Sequence, residues 1–179
     1  VMLMGESLSI PSIAFRYQNV YGPGQSLSNP YTGILSIFST RILNGNDLDI
    51  YEDGEETRDF VYIEDAVDAT ILGMEKEEAN GNIFNVGSGV STRVLDVANT
   101  LKRLYNSEIN ITVSGKFRLG DIRHNFADLS KSKDILGFTP KYNFERGITE
   151  FVNWVKTQEV MEDKYEKSIQ QLKNKGLIK

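Results

Sequence analysis

The strongest constraint on this chain is the alternation of short strand-forming runs with longer runs of helical spacing. Residues 11–18, PSIAFRYQ, are apolar and rich in strand formers, and they predict a buried strand. The stretch NVYGPGQ then breaks the strand at Gly22, Pro23 and Gly24, and SLSNPYTG is a second loop. From Gly33 to Leu43, Ile34, Ile37, Phe38 and Ile42 recur at the spacing of a helix with one buried face, and the NGN of 44–46 ends it. Residues 47–63 read as two short extended segments with Asp53-Gly54 as the turn between them. An acidic-started helix follows over 64–76, and Asn80-Gly81 turns into a buried strand, NIFNV. Ser91 or Thr92 can cap a helix through Leu104, and residues 109–114 alternate like a strand. Asp128 caps a short helix that Gly137 stops. Asn143 caps a helix carrying Phe144, Ile148, Phe151, Val152 and Val155. The last twenty residues are charged and helix-prone, as a solvated or a packing helix. Strands and helices are interleaved throughout, so the class is α/β.

Composition narrows the function classes. The net charge of −5 offers no basic field for nucleic acid or anionic membrane, so neither is expected as a partner. Anion binding must come from local arginines. With no cysteine and one histidine, thiol catalysis, zinc–thiolate sites and multi-histidine metal sites are excluded, and a reducing cytoplasm is the expected compartment. The opening VMLMGESLS has no basic flank or cleavage site of a signal peptide. It reads as the last turns of a helix, and the expectation is that the chain begins mid-protein.

Four stretches carry chemistry. GSGVST (87–92) sits between a strand and a helix, but Thr92 occupies the third glycine position of a dinucleotide turn. A tight structural turn is the better reading, and no cofactor pyrophosphate is assigned to it. In TRDF (57–60), Arg58 shares a strand face with Phe60 and Tyr62 while Asp59 points the other way. A guanidinium there either grips a phosphate or pairs with Glu56 or another carboxylate. RLGD (118–121) sets Arg118 beside Asp121 around a flexible glycine, as a phosphate and diol site or as an internal ion pair. Asn19 lies just past a strand's carboxyl end, where ligands of open α/β sheets sit, and also suits a turn. His124 reads as structural.

Taken together, RYQNVYGPGQ, NPYTGILSIF, IYEDGEETRDFVYIEDAV, FNVGSG and RLGDIRHNFADLSKSKDILGF resemble the C-terminal half of the extended short-chain dehydrogenase/reductases that modify nucleotide sugars. Within them the chain is most similar to the nucleotide-sugar 4-epimerases. The dehydratases and decarboxylases share most of these motifs, so part of a 4,6-dehydratase or decarboxylase, or a non-catalytic nucleotide-binding remnant, is the alternative. The resemblance implies NAD as cofactor and a nucleoside-diphosphate sugar as partner, in a homodimer when full length. It implies that Asn19 bonds the sugar nucleotide and that Tyr17 and Val20 approach the nicotinamide. Gly33, Ile34 and Phe38, with the NPY loop, wall the base on one side, and Asp49, Ile50 and Tyr51 on the other. Arg58 and Arg118 match the phosphate-binding arginines, and Asp121 the ribose-binding acid.

The same resemblance implies three parts. Residues 1–24 end an NAD-binding Rossmann domain, 25–158 form a nucleotide-sugar-binding lobe, and 159–179 are a helical extension. The family's N-terminal glycine fingerprint is absent, and none of the eight tyrosines has a lysine four positions later. No catalytic residue and no metal ligand is therefore assigned, and the chain alone is expected to turn over no sugar.

Overall fold

The computed structural model describes residues 1–29 and 33–178. Helix α1 (Met2–Leu8) ends where Ser9 turns left-handed at φ 53°. β1 (Ala14–Tyr17) starts later than the apolar run. Pro11 has no N–H to give a ladder, and the Ser12 N–H goes instead to Asn80 Oδ1 at 2.7 Å. The strand is also not buried as expected. Arg16 and Tyr17 are exposed, because β6 (Ile83–Val86), paired in parallel, is its only strand neighbour among the described residues.

β2 (Asn19–Tyr21) forms where the break was expected to begin, and the break itself starts at Gly22. There φ is 152°, and a Cβ would lie 2.4 Å from Ile63 Cγ2, so only glycine fits. Helix α2 (Ile34–Leu43) follows Gly33 and buries Phe38 and Ile42 of the expected stripe together with Leu35, while Ile34 and Ile37 are half-buried at the cavity. The Pro30 and Tyr31 part of the NPY loop lies outside the described residues.

β3 (Leu48–Ile50), β4 (Thr57–Arg58) and β5 (Phe60–Tyr62) come from the two expected extended segments. The expected turn forms, with Gly54 at φ 80°, but it is no hairpin. Residues 51–56 are too many for a two-residue connection, so each strand pairs elsewhere. β3 joins β8 (Ile111–Val113) in parallel, and β4 joins β7 (Thr92–Arg93) antiparallel. β5 joins β2 in parallel.

Helix α3 (Ile63–Glu75) runs to within a residue of the expected stretch. Helix α4 (Val94–Tyr105) starts later than expected, because Thr92 belongs to β7 and Arg93 takes the cap position without a side-chain bond. A single wide turn, Ser132–Leu136, stops at Gly137 with φ 68°. Upstream of it, Asp128 Oδ1 accepts the Ser130 N–H at 2.9 Å. Helix α5 (Phe144–Val155) is capped by Asn143, which accepts the Arg146 N–H at 2.9 Å.

Two apolar clusters hold this frame. One packs α2, α4 and α5 around Phe38, Ile50, Leu101, Ile148 and Phe151. The other gathers Val61, Phe84, Val86, Leu136 and Phe138 beneath β6. The charged C-terminal segment is a packing helix, α6 (Tyr165–Asn174), with Ser168 and Ile169 buried. It is held by Arg41, only 7% exposed, which pairs with Asp163 at 3.2 Å and Glu166 at 3.3 Å. A buried guanidinium needs such partners.

Candidate functional site

One cavity of about 310 Å³ collects every residue expected at a nucleotide sugar. β2 brings Asn19, and the start of α2 brings Gly33, Ile34 and Phe38. β3 and the residue after it bring Asp49, Ile50 and Tyr51. β4 brings Arg58, and the 118–121 loop brings Arg118 and Asp121. Phe38 is both a core side chain and a cavity wall.

The lining also includes Ile37, Glu52, Glu56, Val94 and Tyr165, none of which the sequence assigns to the site. Two of them left a local signal. Ile37 is one helical step from Ile34, and Glu56 is two residues before Arg58, just ahead of β4. Tyr165 left none, since it arrives from α6, more than a hundred residues along the chain from Tyr51. Its hydroxyl donates to the Tyr51 hydroxyl at 3.1 Å, and Arg41 stacks 4.2 Å from its ring centre.

The arginines are not equivalent. Arg58 donates to the carbonyls of Thr57 and Arg123 at 2.8 and 3.1 Å, and to Asp121 Oδ1 at 2.9 Å. Its carboxylate partner is thus Asp121 rather than Glu56, and the internal pair of the loop is Arg58–Asp121 rather than Arg118–Asp121. Arg118 pairs with no carboxylate among the described residues, and lies 5.7 Å from the Tyr51 ring centre. Its loop is pinned by the C-terminus, where the Leu119 N–H donates to the Leu177 carbonyl at 3.0 Å. Gly120 provides the turn with φ 79°. Further on, the loop runs beside β4. The Thr57 N–H donates to the Arg123 carbonyl at 2.9 Å, and the Thr57 hydroxyl meets His124 Nδ1 at 3.1 Å. His124 is structural here, as its sequence context suggests.

Two carboxylates on the wall each keep a buried oxygen with no partner among the described residues, Asp49 Oδ1 and Glu56 Oε2. Asp49 uses its other oxygen for Lys116, at 2.7 Å. Burial, with Glu52 and Asp53 nearby, pushes the Glu56 carboxyl above its ordinary 4.5. A carboxyl whose pKa rises on folding binds its proton more tightly in the native state. Its contribution to stability therefore falls as pH climbs past 4.5. Glu56→Gln is expected to raise the melting temperature at about pH 7.5 and to give no gain at about pH 4, because the native carboxyl is then neutral. Melts across that range check it, and a variant no more stable than wild type at neutral pH refutes it.

The glycine turn at 87–89 is occupied from inside the protein. Asp59, 1% exposed, accepts from the Ser88 N–H and hydroxyl, both at 2.6 Å. It also accepts from the N–H groups of Gly89 at 3.0 Å and Ala127 at 3.1 Å. A Cβ on Gly87 would lie 2.4 Å from Asp59 Oδ2. This turn wraps a carboxylate, in keeping with its structural reading. Tyr17 and Val20 are not among the cavity's lining residues. The Tyr17 hydroxyl meets Thr70 Oγ1 at 2.6 Å, and Val20 packs on the cluster beneath β6.

The sequence model of the NAD dependent epimerase/dehydratase family matches residues 3–87. A dTDP-L-rhamnose 4-epimerase of Burkholderia thailandensis is 43% identical over 145 residues, covering 81% of this chain and 40% of that protein. The chain belongs to the NAD dependent epimerase/dehydratase family. A UDP-N-acetyl-alpha-D-glucosaminuronate decarboxylase of Bacillus cytotoxicus is 34% identical over 150 residues, covering 81% of this chain and 46% of that one. Among solved structures, a UDP-glucose 4-epimerase of Thermotoga maritima with UDP-glucose superposes with a TM-score of 0.78. It is 34% identical and covers 86% of this chain and 48% of that chain. The chain thus spans less than half the length of these members of the epimerase/dehydratase family. Its short parallel strand pairs and flanking helices match their α/β fold. Among the described residues, no helix is long and apolar enough to cross a membrane.

Proposed function

We propose that this chain is the nucleotide-sugar-binding part of an NAD-dependent nucleoside-diphosphate-sugar 4-epimerase with a dTDP-rhamnose-like or UDP-hexose-like substrate. The observation that carries the reading is the single cavity that sets Arg58 and Arg118 between apolar and aromatic walls. In an acidic chain, two guanidinium groups facing one cavity supply the local attraction a diphosphate needs. Phe38 and Tyr51 flank the base, and Asn19 bonds the sugar nucleotide.

NAD is the family's cofactor, and when bound it accepts and returns the hydride. The 87–89 turn does not fit its pyrophosphate, because Asp59 fills it. Tyr17 and Val20, near the end of β1, remain the candidates for its nicotinamide side. The share of this chain is therefore to anchor and orient the substrate. The proposal keeps the three-part division at residues 24 and 158, a cytoplasmic location, and a homodimer of the full-length protein. A decarboxylase or 4,6-dehydratase is the second reading, favoured by the identity to the Bacillus cytotoxicus decarboxylase. Both readings use the same anchoring site.

Calorimetric titration of the chain with UDP, dTDP, UMP and inorganic pyrophosphate tests the reading. UDP or dTDP should bind at least about tenfold more tightly than UMP and than pyrophosphate, since each lacks part of the recognised group. Equal binding of pyrophosphate and nucleotide, or binding of neither nucleotide, overturns it. Product analysis with the full-length protein and NAD then separates an epimer from a decarboxylated or dehydrated sugar.

A further inference from the structure

We propose that Glu56 accepts a hydrogen bond from a pentose hydroxyl of the bound nucleoside diphosphate, and so makes the site selective for the sugar of the nucleoside. The inference rests on the nucleotide reading above and assigns the group that reads the pentose.

Glu56 is 7% exposed and lines the cavity, yet its Oε2 is buried with no hydrogen-bond partner among the described residues. A buried carboxylate oxygen without a donor is costly, and in a cavity wall a bound ligand's hydroxyl can supply that donor. The nearby cations are already engaged. Arg58 goes to Asp121, and Arg123 goes to Glu52 and Asp53. Arg93 goes to Glu55 and Asp96.

Position then selects the donor. Glu56 lies two residues before Arg58, just ahead of β4, and both line the cavity, about 6.6 Å apart for extended chain. With Arg58 on the diphosphate, the next group along the nucleotide is the pentose bonded to it. Asp121 has its Oδ1 engaged by Arg58 at 2.9 Å and by the Ile122 N–H at 2.8 Å, and its side chain is exposed, so it needs a ligand donor less than the buried Glu56 does. A diphosphate is acceptor-only and would repel a carboxylate, so Glu56 must meet the hydroxyl-bearing part of the ligand.

The experiment titrates the chain with UDP, 2′-deoxy-UDP and 3′-deoxy-UDP, as wild type, Glu56→Ala and Glu56→Gln. Wild type should bind at least one deoxy analogue about tenfold or more weakly than UDP, as expected for losing a hydrogen bond to a charged acceptor. In Glu56→Ala that penalty should shrink to about twofold or less, because the partner of the hydroxyl is gone. Glu56→Gln retains an acceptor and much of the shape, so it should keep part of the penalty and guards against a folding defect in the alanine variant. A deoxy penalty that is absent in wild type, or unchanged in Glu56→Ala, overturns the assignment while leaving the nucleotide site standing. Failure of UDP and dTDP alike to bind overturns both.

Discussion

Asp59→Ala is expected to cost the fold about 3 kcal/mol or more, because several donors lose a charged acceptor at once. The buried carboxylate collects three backbone N–H groups and one hydroxyl, from Ser88, Gly89 and Ala127. Its own carbonyl accepts the Asn19 N–H at 2.9 Å, which fixes β2 where it enters the cavity. Truncation leaves the buried Ala127 N–H and the part-buried Ser88 and Gly89 donors without their acceptor, at roughly 1–3 kcal/mol for each one left unsatisfied. Against a typical stability of about 5–15 kcal/mol, this is enough to abolish much of the folded population. Asp59→Asn should not rescue it. Each carboxylate oxygen accepts from two donors, so an amide in either orientation aims its NH₂ at two donors. Urea unfolding followed by circular dichroism measures both variants. A loss below about 1 kcal/mol for alanine, or near-complete rescue by asparagine, would show that the turn does not depend on this charge.

The same residue marks how far the sequence can be read. The turn at 87–89 was legible as a turn because Gly87, Ser88 and Gly89 are neighbours. What fills it was not, since Asp59 and Ala127 reach it from distant segments. Helices α2, α3 and α5 were legible because their apolar period and flanking signals are local. The strand partners were not. β3 beside β8 and β4 beside β7 are set by tertiary packing across long stretches of chain, and the Asp53-Gly54 turn alone suggested a nearer pairing. The site divides the same way. Arg58, Arg118 and Asp121 were legible as charged groups on a strand face and a glycine loop. Which of them pair was decided by the loop's path along β4, and Tyr165 depended on the docking of α6 through Arg41.

That pairing changes what the two arginines should do when removed. Arg118→Ala should weaken UDP binding by about one to two decades, the loss of one charge-assisted hydrogen bond to phosphate. Its melting temperature should stay within about 1 °C of wild type, because the group is exposed and pairs with no carboxylate among the described residues. Arg58→Ala should weaken UDP binding comparably and also lower the melting temperature. It removes donors from the carbonyls of Thr57 and Arg123 and leaves Asp121 without its cation. Lysine should restore only part of the affinity at either position, since it lacks the planar two-donor fork. Asp121→Asn keeps an acceptor, so its effect on affinity should be the smallest of the set. Titration and melting of the same variants separate two origins of the arginines' presence. If both only brace the loop, Arg58→Ala melts early and UDP affinity is unchanged in both variants. If they hold a diphosphate, affinity falls in both while stability falls only at Arg58, and added salt narrows the affinity difference because exposed charges are screened.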